Sequence, residues 1–264
     1  MTEISGSPAG QVITDFSSGI GRLTLNNPSR KNAITSSMAE QIAAFCAHVV
    51  ADESIGAAII DSVGDYFCSG ADTRDLAAAS AAPASTEAVA RVSAVYDAFV
   101  DFGSLPVPTV SVVVGGAVGA GLNLALAADV VLVTPDATLE SGFVNRHIHP
   151  GGGHFTLLGR VLNRQQAMVI GVLGHAVTGT EAVRLGTAWK ALPKPALAHE
   201  ALALVEGAAA DPVLARRIKR SAVLELGPNA VSWAAAVELE RGVQMWSMAR
   251  KGDTGWKVRA AEHS

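Results

Sequence analysis

From Val107 the chain reads VPTVSVVVGGAVGAGLNLALAADVVLV, almost free of polar side chains. No other feature limits the possible folds so strongly. The segment exceeds the ~20 apolar residues that a membrane helix needs, but its texture is not that of one helix. A valine-rich run from Val110 to Val114 gives way to glycines, then to an Ala/Leu stretch, then to a second run from Val130 to Val133. These changes predict strand, turn, buried helix and strand. A chain that buries such a unit needs a large core around it. With 264 residues, 49% hydrophobic and 17% charged, this one has the material for that core and not the composition of a disordered chain.

The flanking sequence extends the same alternation. QVITDF and IGRLTL alternate around Ser17-Ser18-Gly19 and predict a hairpin. SSMAEQIAAFCAHVVAD has helical spacing with a serine cap, AAIIDS is a short apolar strand, and residues 77–86 predict a surface loop of small residues. EAVARVSAVYDAFVDFGS predicts a helix ending at Gly103. After Pro150, helices are expected near 153–160, 164–171 and 179–186, TAWKAL as a last strand, and Ala/Leu-rich helix beyond the PKP at 193–195. The fold class is therefore α/β, with a core over 1–195 and a helical region over 196–264.

Charge and cysteine content narrow the partners. The formal charge of −4, without a Lys/Arg run, argues against nucleic acid. Cys46 and Cys68 are the only cysteines, too few for a disulfide scaffold or a Cys-based zinc site. They read as free thiols in a reducing, cytoplasmic setting. MTEISGSPAG has neither a basic start nor an apolar stretch, so no signal peptide is expected.

Two turns share one design. After AAIIDS comes VGDYFCSGAD, and after TVSVVV comes GGAVGAGLNLALA. Each leaves a buried strand through small residues that admit another group close to the backbone. The second opens a helix, whose first N–H groups lie outside the helical ladder. Two such turns face to face would form a two-donor oxyanion hole. The plain alternative is that the glycines serve tight helix–strand packing. G-x-G-x-x-G fails because Leu124 stands at the third glycine, and no Gly-Lys-Ser/Thr is present. HPGGGH is similar to an esterase oxyanion loop, but no G-x-S-x-G elbow accompanies it.

Taken in order, LNNPSRKNAI, YFCSGADTRDL, the Val107 segment and HPGGGHFTLLGRVLNRQQAMVIGVLGHAVTGTEAVRLGTAWKALP resemble the crotonase (enoyl-CoA hydratase/isomerase) family. The resemblance implies a spiral of ββα turns with a C-terminal helical region that assembles trimers or dimers of trimers. It implies a CoA thioester as substrate, with no separate cofactor and no metal. By position, the thioester oxygen would lie between the N–H groups of Ser69 and Ala120. Lys31, Ala33, Ser69, Gly70, Ala71, Asp72, Gly119 and Gly151 would line the ligand, and Arg30 and Lys31 would be placed to meet its phosphates.

The departures from the family bear on chemistry. Family hydratases use two glutamates to activate water and protonate Cα. At their positions stand Asn123 and Phe143, and the aspartate of other branches is replaced by Gly151. An amide takes no proton at neutral pH, and a phenyl ring does no acid–base work. SGFVNRHIHPGGGH, residues 141–154, would form the wall opposite the oxyanion turns. His149 is the first candidate there for proton transfer. His154 is expected to pack, and Glu140 and Asn145 are weaker candidates. His147 and His149 on one strand face would be a metal pair, but no carboxylate or cysteine supports them. Three readings stand: an acyl-CoA enzyme with altered acid–base chemistry, an acyl-CoA-binding protein without catalysis, and a hydrolase using the HPGGGH loop.

Overall fold

The computed structural model describes residues 10–227 and, beyond them, 232, 235, 237, 241–244 and 246. In chain order the elements are β1 (Gln11–Ser17), β2 (Ile20–Asn26), α1 (Ser36–Ala51), β3 (Ala57–Ser62), α2 (Thr73–Ala81), α3 (Thr86–Gly103), β4 (Thr109–Val113), β5 (Gly116–Val118), α4 (Ala120–Ala127), β6 (Val130–Val133) and β7 (Thr138–Glu140). They continue as α5 (His154–Val161), α6 (Arg164–Ala167), β8 (Val177–Thr178), α7 (Gly179–Leu185), β9 (Lys190–Ala191), α8 (Lys194–Ala210) and α9 (Pro212–Leu226).

The predicted hairpin is present. β1 and β2 pair antiparallel, and Ser18 and Gly19 take the positive φ that a tight hairpin turn requires. From β2 onward the main sheet is parallel, in the order β1-β2-β3-β4-β6-β9. A second, three-stranded sheet, β5-β7-β8, stands beside it. The chain visits both sheets in each turn. β4 is followed by β5 and α4, and β6 by β7. After β3, Cys68 makes the corresponding bridge to Ala117. This is a ββα spiral, as expected.

The Val107 segment resolves into β4, β5, α4 and β6. All eight residues of α4 are buried, which explains why its sequence has no polar face. Strand alternation then divides the core. Ile60, Val113 and Val133 face the main cluster with α1, α3 and α4, while Ile59, Val110, Val112 and Leu132 meet Leu197, Ala201 and Val205 of α8. The expected boundary at 195/196 therefore falls inside α8, a helix that closes the second face of the core sheet.

Some local expectations are corrected. Residues 77–81 are helix, not loop. Asp72 caps α2 by accepting from the Arg74 N–H, and the alanines that follow are strong helix formers. The cap of α1 is Thr35, not a serine, because its hydroxyl accepts from the Met38 N–H. The 164–171 helix divides into α6 and a π-helical turn, Met168–Val172. The second sheet was hidden in sequence because β5 and β7 have three residues each and β8 has two. Trp233 and the stretch KGDTGWKVRAAEHS lie outside the described residues.

Candidate active site

The two small-residue turns do face each other. The Val118 N–H donates to Cys68 O at 3.0 Å, and the Cys68 N–H donates to Gly116 O at 3.2 Å. A Cβ on Gly121 would overlap the Cys68 carbonyl, so only glycine permits this approach. A Cβ on Gly70 would stand 3.0 Å from Val118 O. Packing glycines and backbone proximity are thus one device here, not competing explanations.

The donors of the two turns differ in state. Ala120 is the first residue of α4, so its N–H lies outside the helical ladder and at the positive end of a buried helix. The Ser69 N–H donates to Lys31 O at 2.9 Å, and the Ser69 hydroxyl to Arg30 O at 3.2 Å. The two positions expected to act alike are therefore not equivalent in this structure. Both residues line a cavity of about 540 Å³, together with Lys31, Ala33, Gly70, Ala71, Gly119, Asn123, Phe143, His149 and Gly151.

Asn27 and Asn32 of LNNPSRKNAI anchor the loop that lines this cavity. Asn32 is fully buried and donates to Val63 O and Tyr66 O, while its side-chain oxygen accepts from the Asn27 N–H at 2.6 Å. This tie brings the Arg30–Ala33 loop to the Cys68–Gly70 turn. Asp72, although expected among the ligand-lining residues, is 1% exposed and engaged by Arg30 and Arg74. The Arg74 hydrogen bond holds its carboxyl below the usual range. It works as a helix cap and a clamp. Lys31 lies over the Tyr66 ring, 5.0 Å from its centroid.

On the opposite wall, Asn123 is 1% exposed. Its Nδ2 donates to Gly151 O at 3.1 Å, and its Oδ1 lies 2.7 Å from His154 Nδ1. His154 Nε2 in turn lies 2.9 Å from the Ser141 hydroxyl. Burial pushes the His154 ring down to about 4, so it is neutral at physiological pH. Phe143 packs edge-on against that ring, with centroids 5.1 Å apart. His154 was expected only to pack, and it does so, but it also holds Asn123. Nothing in the sequence signals this, since Asn123 and His154 are 31 positions apart.

His149 lines the cavity from an exposed position, and its Nδ1 faces Pro150 O at 2.6 Å. His147 and His149 do not share a strand face. Val144–Arg146 form a 3-10 turn, and His147 takes a left-handed conformation that breaks any alternation. Among the described residues, no group of three or more His, Cys, Asp or Glu side chains is placed to hold a metal ion. Glu140 accepts from the Asn145 amide at 3.1 Å. Sequence reasoning missed Tyr96 of α3, which lines the cavity with its hydroxyl packed so closely on Gly151 that a Cβ there would overlap it. Among the described residues, no helix is long and apolar enough to cross a membrane.

The two linked sheets, the paired turns and the buried α4 between them define the crotonase fold. The chain matches the enoyl-CoA hydratase/isomerase family over residues 15–246 and belongs to that family. It is 34% identical to a protein of Mycobacterium tuberculosis H37Rv named probable enoyl-CoA hydratase EchA14, over 96% of this chain and 97% of that one. It is 29% identical to the 1,2-epoxyphenylacetyl-CoA isomerase of Escherichia coli K12, over 88% of each. Two solved structures share the fold. One is an enoyl-CoA hydratase from Polaromonas sp. JS666, with a TM-score of 0.81, 21% identity and 96% of each chain covered. The other is a Thermobifida fusca YX protein in complex with acetoacetyl-CoA, with a TM-score of 0.78, 22% identity, and 92% of this chain and 96% of that one covered.

Proposed function

We propose that the cavity binds an acyl-CoA thioester and stabilises the negative charge that develops on its carbonyl oxygen. The observation that carries this reading is the Ala120 N–H. It is unladdered, it begins a buried helix, and it lies on the cavity wall against the Cys68–Gly70 turn. A donor so placed stabilises an enolate oxygen more than a ground-state carbonyl. The Ser69 N–H would join it by exchanging Lys31 O for the ligand oxygen. Lys31 and Arg30, on the cavity lining, suit the phosphates of the CoA moiety. Family membership, the relatives named for reactions of CoA thioesters and the acetoacetyl-CoA complex of a fold neighbour all support this ligand class.

The reaction is of the enolate type, without the two carboxylates of a hydratase. Asn123 and Phe143 supply no base, and Glu140 is turned to Asn145. Proton transfer falls to His149. If its Nδ1 carries the hydrogen that Pro150 O accepts, Nε2 keeps a lone pair for a substrate proton. Acyl-CoA binding without catalysis is the second reading, favoured by the same missing carboxylates.

Calorimetry with acetyl-CoA and longer acyl-CoAs tests the ligand class, and saturable binding is expected. Absence of binding at millimolar concentration for every chain length would overturn it. Turnover across a panel of 2-enoyl-CoAs separates the two readings.

A further inference from the structure

We propose that His154 is a positioning residue that locks the Asn123 amide with one N–H toward the cavity, so that the site favours acyl thioesters bearing an oxygen acceptor on the carbon β to the carbonyl. The proposal rests on the acyl-thioester reading above and adds to it the sense in which Asn123 acts.

The orientation follows from one backbone group. Gly151 O can only accept, so the Asn123 atom 3.1 Å from it is the NH₂. Its Oδ1 then faces His154 Nδ1 at 2.7 Å, and an oxygen without a proton requires that Nδ1 carry one. The ring is 1% exposed, and the side chains of Asn123, Ser141, Phe143 and Phe155 that pack on or hydrogen-bond to it carry no charge. A charged imidazolium there would be uncompensated, so the ring is neutral and Nε2 accepts from the Ser141 hydroxyl at 2.9 Å. Each choice fixes the next, from Gly151 through Asn123 and His154 to Ser141.

The result is a wall of donor character. Asn123 lines the cavity, and only one of its two N–H groups has an acceptor among the described residues. Positions 120 and 123 lie on one face of α4, about 5–6 Å apart. A thioester oxygen on the Ala120 N–H therefore places the next carbons of the acyl chain beside the Asn123 amide. A 3-oxo group there would meet a fixed donor, whereas a saturated chain would leave that donor without a partner.

The experiment compares Kd values for acetoacetyl-CoA and butyryl-CoA by calorimetry, in wild type, His154→Leu, His154→Asn and His154→Gln. One added hydrogen bond predicts about tenfold tighter binding of the 3-oxo compound by wild type. His154→Leu should remove that preference and leave butyryl-CoA within about twofold. An asparagine places its NH₂ near the site of the imidazole Nδ1, and a glutamine places its own near Nε2. His154→Asn should therefore keep the preference and His154→Gln should lose it. A polar filler would treat the two alike, so this pair decides the matter even if His154→Leu does not fold. Equal preference in His154→Asn and His154→Gln, or butyryl-CoA bound as tightly as acetoacetyl-CoA by wild type, overturns the proposal while the acyl-thioester reading stands. Failure of wild type to bind either thioester overturns both.

Discussion

His154 Nδ1 stands 2.7 Å from Asn123 Oδ1, and this contact fixes the sense of the Asn123 amide. A side chain so held, with its amide nitrogen on Gly151 O, is not free to turn an acceptor toward water. Hydration of crotonyl-CoA should therefore be slower than in a two-carboxylate hydratase by about the 10²–10⁴ that a positioned base contributes. Turnover measured beside such an enzyme checks this. A comparable rate would mean that the absence of a carboxylate at positions 123 and 143 does not limit the reaction.

Removing the Ala120 N–H should be specific. Proline is tolerated at the first position of a helix, so Ala120→Pro deletes the donor without breaking α4. A loss of about 10²–10³ in turnover of the best substrate is expected, against a small effect of Ala120→Gly. Equal rates for the two variants would show that this N–H does not serve the thioester oxygen.

His149→Ala should lower turnover by at least about 10² and change the pH–rate profile, with acyl-CoA affinity within about twofold. Unchanged rate and profile would make His149 a rim residue without a part in proton transfer.

Stability should carry the signature of His154. Its ring titrates near 4 in the folded chain, against 6.5 for an ordinary histidine, because burial disfavours the charged form. Between those values the unfolded chain binds a proton that the folded chain does not. The contribution is therefore complete above about 6.5 and is lost as pH falls toward about 4. The full difference is on the order of 3 kcal/mol. Denaturant unfolding of wild type and His154→Asn between these limits checks the sign, and the variant should lose this part of the slope.

A trimer or hexamer is expected in solution. Leu173 and Trp189 are 71% and 60% exposed on the single chain, and Phe155 and Met168 are exposed nearby in sequence. Large apolar side chains left this exposed on a single chain are often covered by closed, symmetric assembly. Light scattering at micromolar concentration that shows a stable monomer would contradict this.

The sequence by itself determined the α/β alternation and the two small-residue turns, and its resemblance to a family implied the spiral. The switch from valine runs to glycines to Ala/Leu in Val107–Val133 specifies β4, α4 and β6 through periodicity and backbone freedom, both of them local properties. The paired turns at Cys68–Gly70 and Gly119–Gly121 were legible for the same reason. Only the tertiary structure decided what those positions touch. The short strands β5, β7 and β8 exist because neighbouring strands supply their partners, not because of any pattern of their own. The Ser69 N–H meets Lys31 O, the Tyr96 hydroxyl meets Gly151, and His154 meets Asn123 only once distant segments are packed together. Hydrogen-bond sense is a property of a closed network, and this one begins at a carbonyl, that of Gly151, which no reading of side chains along the sequence could have brought to Asn123.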